Sequence, residues 1–92
     1  MPEETILIAR VTGRVQGVWF RGWTQETAEA LGLRGWVRNE ADGSVAALII
    51  GADDKVQAMV RALHDGPPAA RVDDVAVLPG ADDETVGFQI LR

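Results

Sequence analysis

Cysteine is absent from the 92 residues, which excludes disulfide frameworks, thiolate metal sites and thiol nucleophiles together. Histidine occurs once, at His64, so a tetrahedral zinc site lacks most of its usual ligands. No hydrophobic run approaches the length of a membrane span, and the acidic start Met1-Pro2-Glu3-Glu4 has neither the charge nor the length of a secretory leader. These absences point to a cytoplasmic protein with no membrane partner. An excess of basic charge is missing as well. At a net charge of −5 and a pI near 4.6 the long-range field repels a nucleic acid backbone, so no nucleic acid partner is expected. Any anion site must be local.

What is present is an ordinary globular composition, 47% hydrophobic and 25% charged. It suits a single domain over residues 1–92 that folds alone, expected as a monomer. Ile6 to Thr12 reads as a central strand, rich in Ile, Val and Thr, and Gly13 ends it. From about Arg21 the pattern is helical, with Phe20, Thr24, Thr27, Ala28 and Leu31 on one stripe and Gly32 placed to stop it. Trp36 to Arg38 and Val45 to Ile50 flank the turn Ala41-Asp42-Gly43-Ser44 as a β-hairpin. Asp53 is placed to cap a second helix with the stripe Val56, Met59, Val60 and Leu63, ended by Gly66-Pro67-Pro68. Val72 to Leu78 and a short terminal strand at Phe88 to Ile90 follow. The order β-α-β-β-α-β with an added strand predicts an α+β, ferredoxin-like split β-α-β sandwich. Its antiparallel sheet would have four to five strands and carry two helices on one face.

The loop Arg14 to Phe20 joins the first strand to a helix N-terminus, where backbone N–H groups lack partners and the helix dipole is positive. Gly13 and Gly17 let successive amides converge on one anion, and Arg21 can add a forked charged donor. The plainer reading makes the glycines turn residues and Arg21 a solvated cation. Against it, a cation at a helix start opposes the dipole, at a cost of roughly 0.3–1 kcal/mol, unless an anion joins it. Gly22, inside the first helical turn, costs about 1 kcal/mol against alanine, with no reason visible in the sequence. Asn39 lies where the first hairpin strand meets its loop, a place where asparagine often serves only its own backbone.

The run Gly13-Arg14-Val15-Gln16-Gly17-Val18-Trp19-Phe20-Arg21 resembles the acylphosphatase signature G-x-V-Q-G-V-x-F-R. Gly35-Trp36-Val37-Arg38-Asn39 with Asp42-Gly43-Ser44-Val45 resembles its second motif, G-W-V-R-N-x-x-D-G-S-V. The similarity runs on through Gly66-Pro67-Pro68-Ala69 to Gly87-Phe88-Gln89-Ile90. The resemblance implies hydrolysis of acyl phosphates, with Arg21 and Asn39 as the catalytic pair. It also implies a phosphate cradle formed by the backbone amides of Val15, Gln16, Gly17, Val18, Trp19 and Phe20. Trp19 falls where the motif is variable. No cofactor and no metal are implied, and the only expected partner is a small-molecule acyl phosphate. Acetyl phosphate, carbamoyl phosphate and 1,3-bisphosphoglycerate are candidates by resemblance.

Few groups suffice for such a reaction. The leaving carboxylate is stable as an anion and needs no general acid, so positioning and charge stabilisation carry the transfer. Other residues read as structural: Trp23 and Trp36 as packing, His64 as a surface residue, Arg14, Arg34 and Arg38 as mostly solvated cations. Arg14 or Arg38 could still steer an anionic substrate. The alternative function is a non-catalytic ferredoxin-like module that binds an anion or ligand; a third possibility is the equivalent domain of a larger carbamoyl-transferring protein. An RNA-recognition module would need exposed aromatics on central strands and a basic face, and the sequence offers neither.

Overall fold

The computed structural model describes residues 4–92. In chain order the elements are β1 (Glu4–Arg14), α1 (Phe20–Ala30), β2 (Arg34–Asn39), β3 (Val45–Ala52), α2 (Asp53–Asp65), β4 (Arg71–Pro79) and β5 (Phe88–Ile90). One five-stranded sheet has the order β4-β1-β3-β2-β5. β1 is central as expected, antiparallel to β3 on one side and to β4 on the other.

The terminal strand corrects the expectation of an antiparallel sheet. β5 lies parallel to β2, pairing Gly35 with Phe88 and Val37 with Ile90, so the sheet is mixed at that edge. The cause is the direction of exit from β4. β4 ends opposite Leu7, at the end of the sheet where β1 and β2 begin, so a strand entered from there runs with β2. Consequently β1, β2 and β5 all finish at the opposite end. The candidate active site lies there.

Alternation along the strands sorts the side chains into two layers. Ala9, Val11, Val37, Val45, Ala47, Ile49, Val75 and Phe88 face the helices and form the main core with Phe20 and Ala28 of α1 and Val56, Met59 and Leu63 of α2. Val60, read as part of that stripe, is only half-buried. Thr27 is half-buried and returns its hydroxyl to the Trp23 carbonyl at 2.8 Å. Gly32, at φ 71°, ends α1 as expected. Asp53 is not the cap of α2. β3 runs straight into the helix, so Ala52 takes the cap position without a side-chain bond. Asp53, already helical, accepts instead from the Thr5 hydroxyl at 2.8 Å. Its charge still complements the dipole from within the first turn.

The other sheet face has a smaller apolar cluster of Trp36, Ala46, Leu48 and Ile50, joined by Ile6, Ile8 and Leu91. The segment 80–87 is tied to this side. The Gly80 N–H donates to the Ile6 carbonyl at 3.0 Å, and the Trp36 indole donates to Asp83 at 2.9 Å. Arg34 forks onto the Asp82 carboxylate, with one arm at 2.9 Å, and reaches Glu4 at 3.3 Å.

Candidate active site

β1 closes on an irregularity: its register against β4 shifts between Thr12 and Gly13. Val15 then anchors the loop in the core at 1% exposure. Gly17 has φ 74° and open space where a side chain would stand, so its backbone can be approached directly. Trp19 occupies the cap position of α1 in the left-handed region, φ 66° and ψ 24°, and supplies no side-chain cap. The buried ring of Phe20 seats the helix start, packed edge-on against Trp23 at 5.4 Å. The first turn has no acidic residue to meet the unpaired N–H groups; it has Arg21.

A cleft of about 440 Å³ opens at this end of the sheet. Val15, Gly17, Trp19, Phe20 and Arg21 line it from the loop and α1, and Asn39 lines it from β2. The two residues implied as a catalytic pair thus share one cavity, although eighteen positions separate them in sequence (39 − 21). Asn39 has the same parity as the buried Val37, which turns it toward the helix layer where α1 begins.

Gln16 and Val18 are not among the lining residues. Val18 packs on the main core. The Gln16 amide spans from the loop to the hairpin, donating to the carbonyls of Glu40 at 2.8 Å and Ser44 at 2.9 Å. The hairpin is closed by other groups as well. Asp42 accepts from the Ser44 N–H at 2.9 Å and from its hydroxyl at 2.6 Å, and the Glu40 N–H meets the Ser44 carbonyl at 2.8 Å. The Ser44 hydroxyl, then its N–H, holds the Asp42 carboxyl below its usual range. Asn39 is therefore not spent on the turn beside it.

Gly22, Ile90 and Arg92 also line the cleft, and sequence reasoning missed all three. Ile90 and Arg92 arrive because β5 runs parallel to β2, a pairing with no local sequence signal. Gly22 has a reason now: a Cβ there would run into the Trp19 indole.

Among the described residues no acidic side chain lines the cleft, and its charged side chains are Arg21 and Arg92. Among the described residues Arg21 has no carboxylate partner; its Nη1 reaches only the Leu91 carbonyl, at 3.4 Å. Arg10, Arg14, Arg34 and Arg38 are engaged or lie elsewhere. Arg10 pairs with Asp42 at 3.6 Å. Arg34 is not a solvated cation, since its bonds to Asp82 raise its pKa further and fasten it to the 80–87 segment. Arg38 lies over the Trp36 ring at 4.5 Å and pairs with Glu40 at 2.9 Å. Strand alternation puts Arg38 on the face away from Val37 and Asn39, so the expected steering role does not hold for it. Arg14 and His64 are exposed and outside the cleft lining. Among the described residues no cluster of three or more His, Cys, Asp or Glu is arranged to hold a metal, and no helix is long and apolar enough to cross a membrane.

Comparison with known proteins gives the family and the fold. The acylphosphatase family model matches residues 7–90. An acylphosphatase of Rhodospirillum rubrum is 57% identical over 82 residues, covering 89% of this chain and 90% of that relative. One of Rhizobium meliloti is 56% identical over 86 residues, covering 92% and 90%. The solved structure of an acylphosphatase from Coxiella burnetii superposes with a TM-score of 0.91 at 34% identity, covering 96% of this chain and 93% of that one. With a family match over most of its length, relatives at this identity and the same ferredoxin-like fold, the chain belongs to the acylphosphatase family, the enzymes that hydrolyse acyl phosphates.

Proposed function

We propose that hydrolysis takes place in the cleft between the β1–α1 loop and the end of β2, with Arg21 and Asn39 in separate roles. The observation that carries this reading is the meeting of an arginine with no carboxylate partner, a helix N-terminus without acidic residues and the end of β2 in one cavity that, among the described residues, no acidic side chain lines. Arg21 and the amides from Val15 to Phe20 hold the phosphoryl oxygens as their charge redistributes. The Asn39 amide holds a water in line with the departing oxygen. The water oxygen bonds to phosphorus and the P–O bond to the acyl group breaks. The acyl group leaves as carboxylate, and the water's proton ends on the released phosphate. None of the lining side chains is a base at neutral pH, so the substrate's phosphoryl oxygens are the nearest acceptors.

The same reading makes the protein a monomeric, single-domain cytoplasmic enzyme that needs no metal. The test is phosphate release from acetyl phosphate by the pure protein in EDTA. Turnover is expected, with Arg21→Ala lowering kcat/KM by about 10²- to 10³-fold, as for loss of a transition-state donor. Asn39→Ala should lose about 10²-fold, chiefly in kcat. Turnover that survives in Asn39→Ala would remove the water-positioning role. Phosphate binding without turnover in the parent protein would favour the non-catalytic module.

A further inference from the structure

We infer that Trp19 is the specificity wall of the cleft, selecting acyl phosphates whose acyl group is a planar aromatic over those with a small acyl group. This rests on the hydrolytic reading and adds a substrate class to it. Two locally unfavourable features in consecutive parts of the loop and helix have one common explanation. The first is the left-handed backbone of Trp19, a conformation bulky side chains seldom adopt and one that persists only where the surroundings impose it. The second is glycine at position 22, inside the first turn of α1. Both serve to lay the indole across the start of the helix, in space a Cβ at residue 22 would fill. Held there, Trp19 is 60% exposed, while the other aromatic side chains among the described residues are buried or, for Trp23, half-buried, and it lines the cleft.

Its apolar companion is Ile90, 39% exposed and lining the same cleft from β5. The polar side chains of the cleft are Arg21, Asn39 and Arg92. With the phosphoryl group on Arg21 and the loop amides, the remaining surface is an exposed indole and an isoleucine, which a flat apolar acyl group covers and an acetyl group leaves wet. Ring stacking beyond simple burial corresponds to about two- to twelvefold in affinity.

The experiment compares benzoyl phosphate with acetyl phosphate in the parent protein, Trp19→Asn, Trp19→Phe and Gly22→Ala. Asparagine tolerates the left-handed backbone without supplying a ring, phenylalanine restores a ring, and alanine at 22 displaces the indole while favouring the helix. The benzoyl-to-acetyl ratio of kcat/KM should fall about three- to tenfold in Trp19→Asn and in Gly22→Ala, mostly through KM for benzoyl phosphate, and should recover in Trp19→Phe. Binding of phenylphosphonate relative to methylphosphonate, measured by calorimetry, should shift in parallel without any turnover. An unchanged ratio in both Trp19→Asn and Gly22→Ala, with both substrates still hydrolysed, would overturn the wall and leave the hydrolytic reading standing. Failure of the parent protein to hydrolyse either substrate would overturn the hydrolytic reading itself, and the catalytic selectivity with it.

Discussion

Gln16 belongs to the signature loop, yet its side chain binds the hairpin. Its two bonds to the Glu40 and Ser44 carbonyls tie the β1–α1 loop to the turn that follows Asn39. Gln16→Ala should therefore act on both stability and geometry. It removes two hydrogen bonds, while the Ser44 carbonyl keeps the Glu40 N–H and the Glu40 carbonyl keeps the Gly43 N–H, so the expected loss is about 1–3 kcal/mol in denaturant unfolding, the net worth of two bonds. It should also lower kcat more than it raises KM for acetyl phosphate, because the distance between Arg21 and Asn39 is no longer held. A fall in stability with kcat intact would confine Gln16 to a structural part. Thr24 presents the reverse case. Its side chain is fully buried in α1, and its hydroxyl has no hydrogen-bond partner among the described residues. Thr24→Val removes an unpaired polar atom at nearly constant volume and should raise stability by about 1 kcal/mol, read as a higher denaturation midpoint at unchanged m-value.

At the scale of an element, the segment 80–87 is held by carboxylates. The Arg34 fork, followed by the Glu84 N–H, lowers the Asp82 pKa to about 2 from the usual 3.8. The Thr85 hydroxyl, which bonds Asp83 closely, and then its N–H lower Asp83 as well. A group whose folded pKa lies below its unfolded value stabilises the fold above the unfolded pKa, and that contribution is lost as pH falls through the folded one. Thermal midpoints should therefore hold down to about pH 3.8 and decline from there toward pH 2. Asp82→Asn should make that acid-side decline shallower while lowering the neutral-pH midpoint slightly. An equally steep decline in the variant would show that other groups govern acid unfolding.

For the whole molecule, the issue is how a chain of net charge −5 takes an anion. It does so by separation. Arg10, Arg34, Arg38 and Arg71 are paired with carboxylates outside the cleft, while Arg21 has no carboxylate partner among the described residues and no acidic side chain shares its cavity. A ligand that binds only the folded state stabilises it by mass action, about 2.7 kcal/mol at a hundredfold excess over Kd. Inorganic phosphate should accordingly raise the thermal midpoint of the parent protein in a saturable way, at constant ionic strength. In Arg21→Ala the shift should be lost over the same concentration range. A shift that sodium sulfate and sodium chloride reproduce equally in both proteins would mark a salt effect and no site.

The elements were legible in sequence because their causes are local: an apolar stripe at helical spacing from Val56 to Leu63, a glycine stop at Gly32 and a turn at Asp42-Gly43-Ser44. The family was legible in the two motifs, and the case for an anion at Arg21 followed from the helix dipole alone. The meeting of Arg21 with Asn39 was only implied there, because strand order decides it and no local pattern encodes strand order. Tertiary structure alone decided the parallel seating of β5 and with it the presence of Ile90 and Arg92 in the cleft. It also turned the Gln16 side chain to the hairpin and Arg38 to the opposite sheet face, and it accounted for Gly22, whose cost in the helix is repaid by room for the Trp19 ring. Composition and periodicity set which segments become strands and helices. Long-range packing sets which of their ends meet, and the site is made of ends.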